Sequence, residues 1–80
     1  MGDVSPLERL GFAICRARLD RGLTQTELGV RIGIKKGWMS RIEHGANITL
    51  DTLVRICRTL GVESKLVIGD EVVELCDSET

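Results

Sequence analysis

The 80-residue chain is 42% hydrophobic but only 2% aromatic, so it predicts one small domain with an aliphatic core of Leu, Ile and Val. Its formal charge of -1 is uneven: residues 1–60 hold ten Lys and Arg against six Asp and Glu, a net of +4, while residues 61–80 hold one Lys against six, a net of -5. With no run of about 18 apolar residues, a membrane span is not expected, and "MGDVSPLERLG" lacks the basic-then-apolar order of a secretory signal.

Residues 5–20, "SPLERLGFAICRARLD", predict the first helix. Ser5 is the N-cap, Pro6 takes the first helical position and Glu8 completes an S-x-x-E capping box. Leu7, Leu10, Ile14 and Ala17 form one apolar stripe, and Gly22 ends the segment. Thr24 and Glu27 make a second capping box. Leu28 and Ile32 face one way on that second helix, and Gly33 breaks it.

Residues 35–44 predict the third helix. With Lys36 at zero, Ser40, His44, Gly37 and Arg41 fall within roughly the next 140° of arc, and Trp38, Met39 and Ile42 take the other side. The helix is thus held from behind by apolar residues and presents hydrogen-bond donors in front. "LDTLVRICRTL", residues 50–60, is the fourth helix, capped by Thr49 and closed by Gly61, with Leu50, Leu53, Ile56, Cys57 and Leu60 expected on its buried face.

The period then changes. "KLVIGDEVVEL" has β-branched residues on both sides of Gly69-Asp70 and predicts a hairpin. A single strand at 65–68 with a loose tail is the rival reading. The expected organisation is a mostly α, four-helix domain over 1–62, a β extension over 63–76 and a frayed "DSET" tail at 77–80.

Cys15, Cys57 and Cys76 are widely spaced, and His44 is the one histidine. Without short-spaced ligand clusters, no metal site or cofactor is expected. Cys15 and Cys57 read as small buried hydrophobes, and free thiols suit a cytoplasmic protein. Met1-Gly2 fits a myristoylation motif poorly, since Ser5 is better used as a helix cap. An enzyme is not expected: there is no nucleophile motif, no phosphate loop and little room for a pocket.

The stretch "LTQTELGVRIGIKKGWMSRIEHG" resembles the Cro/cI-repressor, or XRE, type of helix-turn-helix DNA-binding domain. The likeness runs from Leu10 to Val62 and includes "RARLDRGLTQTELG", Gly33, "SRIEHG" and "TLDTLVRICRTLGV". It implies that Gly29 lies where the second helix crosses closest to the third, at a position usually held by alanine. It implies that Gly33 makes the turn, that Met39 and Ile42 lock the third helix to the second, and that Arg18 and Glu43 form a partly buried ion pair.

The resemblance also assigns contacts. Lys36, Gly37 and Arg41, with Ser40 beside them, match base-reading positions. Arg41 is suited to bidentate bonding with guanine. Gln25 matches a phosphate contact aided by the helix dipole. Lys35, Trp38, His44 and Asn47 are further phosphate candidates, although a partly buried packing role is the preferred reading for Trp38 and a surface or capping role for His44. Read without the resemblance, the charged row is a solvated helix face.

Three departures stand out. Lys35 replaces a usual Ser or Thr cap, Gly37 offers no side chain at a reading position, and Ile48 replaces a common proline. The last, with the strand-like segment, is similar to the antitoxin branch.

The implied function is a bacterial or phage transcription regulator, a repressor, that binds an inverted repeat of duplex DNA as a dimer. The dimer contact would come from the end of the fourth helix or from residues 65–75 pairing across the two-fold axis. The alternative is an antitoxin or interaction module whose main partner is a protein, such as a toxin. The acidic C-terminal segment is consistent with that alternative and with a solubilising role.

Overall fold

The computed structural model of the chain describes residues 4–76, so the expected tail at 77–80 lies outside the described residues. The elements are α1 (Pro6–Asp20), α2 (Gln25–Ile32), α3 (Lys36–Glu43), α4 (Leu50–Leu60), β1 (Ser64–Ile68) and β2 (Glu71–Cys76).

Local chemistry sets the helix ends. Ser5 Oγ accepts the Glu8 amide at 3.2 Å while the Glu8 carboxylate accepts the Ser5 amide at 3.0 Å. Thr24 and Glu27 repeat the exchange at 3.0 and 2.8 Å, so two otherwise orphaned amides are satisfied at each start. The Thr24 amide holds the exposed Glu27 carboxyl below its ordinary pKa. Lys35 gives α3 no side-chain cap. That helix is one residue shorter at each end than the pattern predicts, because Lys35 and His44 serve as its flanking caps.

α3 packs on α1 and α2, and α4 packs on α1, α2 and β2. Ile14, Leu28, Ile32, Met39, Ile42, Ile56 and Leu60 make the buried cluster, which is aliphatic as the composition requires. Phe12 and Trp38 both lie outside it. Arginines join the helices by capping carbonyls at their C-terminal ends: Arg55 Nη1 donates to Ile32 O at 2.9 Å, and Arg21 Nε donates to Leu60 O.

Two glycines set the approach of the elements around α3. A Cβ at Gly11 would stand 2.5 Å from the Ile42 carbonyl oxygen and 2.6 Å from that of Glu43. The backbone of α1 therefore lies directly against the end of α3. A Cβ at Gly29 would stand 2.5 Å from the Ile34 carbonyl oxygen. This corrects the expectation for Gly29: the crowding comes from the turn before α3, not from α3 itself. The same turn is closed by Ile34 N donating to Gly29 O at 2.8 Å, with Gly33 left-handed at φ 81°, a conformation other residues adopt at a cost.

Two other expectations fail. Leu50 is 52% exposed, because as the first residue of α4 it precedes the turn that meets the core. Cys15 is half-buried rather than buried, with its sulfur 3.6 Å from Arg18 Nη2. Cys57 is buried as expected, and burial raises the pKa of its thiol.

The hairpin forms, and the single-strand rival does not. β1 and β2 pair antiparallel, with Leu66 opposite Val73, Val67 opposite Val72 and Ile68 opposite Glu71. Gly69 alone carries a positive φ, 59°, in the turn, as a type II′ turn requires at its first central residue. A register shift between Ser64 and Lys65 leaves Leu75 as the extra residue of β2.

Candidate nucleic-acid interface

The front of α3 is exposed and the back is fixed. Lys36, Gly37, Arg41 and His44 are exposed and Ser40 is half-buried, while Met39 is 0% and Ile42 1% exposed. Lys35, just ahead of the helix, is exposed as well. The one acidic residue of the helix, Glu43, is buried, so the solvent side of the helix carries cations and neutral donors alone.

Glu43 is neutralised from α1. Its carboxylate accepts Arg18 Nε at 2.6 Å and Arg18 Nη2 at 3.0 Å, a two-pronged ion pair. Arg18 Nη1 donates to Leu23 O at 2.7 Å, which ties the α1–α2 connection into the same group. Burial pushes the Glu43 carboxyl up, but the hydrogen bonds from Arg18 and Gln25 and the Arg18 charge outweigh it, so its pKa lies below the ordinary value. The bond to Glu43 in turn raises Arg18 above its usual range. The pair bolts the far end of α3 to α1.

Gln25 is drawn into this network. Its Nε2 donates to Glu43 Oε1 at 3.1 Å, leaving the second amide hydrogen for another acceptor. Gln25 and Lys36 line one open cleft at the start of α2. Trp38 and Asn47 line another, together with Ile48, Thr49 and Thr52. The phosphate candidates Gln25 and Trp38 with Asn47 thus line two separate clefts, with Lys35 at the head of α3 and His44 at its end.

Trp38 grips the body only in part, lying beside Ile48 and Thr52. It is 40% exposed, and the Arg41 guanidinium carbon lies 5.8 Å from its ring centroid, a cation–π distance. The helical wheel explains this. From Lys36 the buried residues Ile42, Met39 and Glu43 occupy roughly 240–340°, whereas Trp38 falls near 200°, at the margin of that arc between Ile42 and Arg41 at about 140°. His44 caps its own helix: Nδ1 lies 2.8 Å from Ser40 O, so the ring stays on α3 with Nε2 outward.

Gly11, the Gln25–Glu43 bond and Thr52 are the features that the sequence reading missed. The first two join residues far apart in sequence and leave no local pattern. Thr52 had one: the "T-x-x-T" at 49–52, in which Thr49 Oγ1 caps the Thr52 amide at 3.1 Å, marks a hydroxyl pair at the α4 start beside Trp38.

Among the described residues no three His, Cys, Asp or Glu side chains cluster to hold a metal, and no helix is long and apolar enough to cross a membrane.

Residues 9–67 match the helix-turn-helix domain family. No curated protein matches the chain. Among solved structures, the chain is similar to the clp gene regulator ClgR from C. glutamicum, with 29% identity over 76% of this chain and 80% of that one and a TM-score of 0.74. It is similar to the wild-type restriction–modification controller protein C.Esp1396I, with 30% identity over 75% and 79% and a TM-score of 0.68. The same controller is also solved in a nucleoprotein complex. A third likeness is to an MDT protein, with 30% identity over 88% and 100% and a TM-score of 0.67.

Proposed function

Because the chain belongs to the helix-turn-helix family, of the Cro/cI-repressor type, we propose that it is a transcription regulator that reads duplex DNA as a two-fold dimer. α3 enters the major groove. The observation that carries this reading is the split character of that helix. Its only carboxylate is buried and matched by Arg18, while Lys36, Ser40 and Arg41 stand outward on a rigid back of Met39 and Ile42. A face without exposed carboxylates approaches phosphate-lined DNA without repulsion.

In this reading Arg41 donates two hydrogen bonds to a guanine, and Lys36 and Ser40 contact neighbouring base edges. Gly37 lets the backbone close on the groove. Gln25, Lys35, Trp38, His44 and Asn47 hold phosphates on either side and fix the register, as phosphate contacts do. Two copies read half-sites about 34 Å apart on an inverted repeat. Occupancy of that site blocks the promoter, which makes the protein a repressor. The relatedness to ClgR and to a controller protein seen in a nucleoprotein complex supports the same role.

Fluorescence anisotropy with duplexes tiled upstream of the protein's own gene, in a salt series, tests the proposal. One duplex should be preferred, with affinity falling steeply as salt rises. Arg41→Ala should weaken that duplex by about 1–3 kcal/mol and relax one base pair of preference. Gln25→Ala should weaken every sequence alike. Wild-type affinity in Arg41→Ala would remove the reading face, and no duplex binding at low salt would overturn the function in favour of a protein partner.

A further inference from the structure

Arg41 is held differently from the arginines that tie the fold together. Arg18, Arg21 and Arg55 each commit N–H donors to a backbone carbonyl of another element or connection. Arg41 commits none. Among the described residues its side-chain partner is the Trp38 ring, with the guanidinium carbon 5.8 Å from the ring centroid. The spacing explains the contact. Residues at i and i+3 are neighbours on a helix surface, and helical side chains lean toward the N-terminus. Arg41 therefore reaches back over Trp38.

The ring is itself placed. It lines a cleft with Asn47, Ile48, Thr49 and Thr52, so it lies beside the capped start of α4, where the Thr49 and Thr52 hydroxyls are 2.9 Å apart. A second contact of the same kind joins Arg16 to Phe12 at 5.9 Å. Phe12 is 63% exposed, and α1 carries none of the reading row. That pair serves as the comparison for an arginine resting on a ring without a reading role.

The chemistry of the two groups makes the contact compatible with base reading. A guanidinium stacks through its face, whereas its five N–H donors lie in its plane. Arg41 resting on an indole therefore keeps the fork that bonds guanine O6 and N7. An arginine on an exposed helix samples many rotamers, and a bond that requires one of them is weakened by the fraction populated. A cation–π contact at an exposed site enriches the held orientation about two- to five-fold. Contact with a phosphate makes no such demand on the fork.

We propose that Trp38 is a positioning residue for Arg41: its ring holds the guanidinium in the orientation that meets guanine, so Trp38 sharpens a base preference without touching that base. This inference rests on the DNA-reading function above and names a specificity determinant within it. The indole N–H lies in the ring plane and stays available to a phosphate, so the two roles of Trp38 coexist.

A double-mutant cycle in the anisotropy assay tests the inference. The readout is the ratio of affinities for the preferred duplex and for one altered at the base pair that Arg41→Ala relaxes. Loss of folded protein or of a phosphate contact lowers both affinities and cancels in the ratio. Trp38→Leu should lower the ratio about two- to five-fold, Trp38→Phe should restore most of it, and Phe12→Leu should leave it at the wild-type value. In an Arg41→Ala background, Trp38→Leu should change the ratio no further. Trp38 is the one tryptophan of the chain, so its fluorescence reads the contact in the free protein. Arg41→Ala should raise its quenching by acrylamide, because one face of the ring is uncovered. A wild-type ratio in Trp38→Leu, an equal fall in the Arg41→Ala background, or unchanged quenching would overturn the positioning role and leave base reading by Arg41 standing. An Arg41→Ala variant that relaxes no base pair would remove the reading face itself, and this inference with it.

Discussion

Replacing Glu43 by alanine isolates what holds the reading helix. The substitution removes the acceptor for Arg18 Nε at 2.6 Å, for Arg18 Nη2 at 3.0 Å and for Gln25 Nε2 at 3.1 Å. Arg18 keeps only Leu23 O and the weak contact to Cys15. Its side chain is 9% exposed and that of Glu43 3%, so water cannot replace the lost partner without a rearrangement. Breaking one side of a buried pair costs about 3–5 kcal/mol. A chain of this length has a total stability of about 4–12 kcal/mol, so the loss is a large share of it. At about 4–8 °C per kcal/mol, the melting temperature should fall on the order of 20 °C. Urea and thermal unfolding followed by circular dichroism measure both quantities. A fall of less than about 0.5 kcal/mol would refute the reasoning, because that is how a solvent-screened surface pair behaves. The double variant Arg18→Met, Glu43→Leu separates stability from orientation. It should recover most of the lost stability, since apolar replacement of a buried pair is near neutral, yet still bind operator more weakly because the end of α3 then loses its hydrogen-bonded anchor on α1 and keeps only the close packing at Gly11. The pH dependence has a definite sign. The folded-state pKa of Glu43 lies below its ordinary value. The stabilisation is therefore complete above the unfolded pKa, about 4.3, and is lost as pH falls through the folded value. Wild type should lose stability below about pH 4 more steeply than Glu43→Gln does.

The glycines offer a test of sign. Alanine in a helix normally gains about 1 kcal/mol over glycine. At Gly11 and Gly29 the added carbon meets a backbone carbonyl at 2.5 Å, so Gly11→Ala and Gly29→Ala should both lower the melting temperature, and a rise in either would refute the close approach. At Gly37 nothing lies within 4 Å of the added carbon. Gly37→Ala should therefore raise stability by up to about 1 kcal/mol while weakening operator binding, and an unchanged affinity would show that the α3 backbone does not close on the DNA there.

The contrast between these glycines shows what a sequence can disclose. Signals completed within four residues are legible: the S-x-x-E and T-x-x-E boxes, the left-handed Gly33 and the Gly69-Asp70 turn each contain their own partners, and each forms as read. The front of α3 is legible for the same reason, since a period of 3.6 residues orders Lys36, Gly37, Ser40 and Arg41 without help from the rest of the chain. Gly11 carries no such signal, because its need for a bare α-carbon is set by carbonyls at positions 42 and 43. Gly29 was visible as a small residue, but its neighbour is the Ile34 carbonyl of the turn, which only the fold reveals. Trp38 is only partly covered because its angle lies at the margin of the buried arc, where hydrophobicity and packing part company. Glu43 lies within that arc. A wheel alone would mark an acid there as an error in the apolar face, and its partner Arg18 is 25 residues away. Yet this residue gives the interface its sign. Had the carboxylate stood on the outer face, the row would carry an anion among its cations. Held inward by Arg18, it braces the helix and leaves the outer face without a negative charge, so one buried contact links the stability of the domain to the electrostatics of its reading surface.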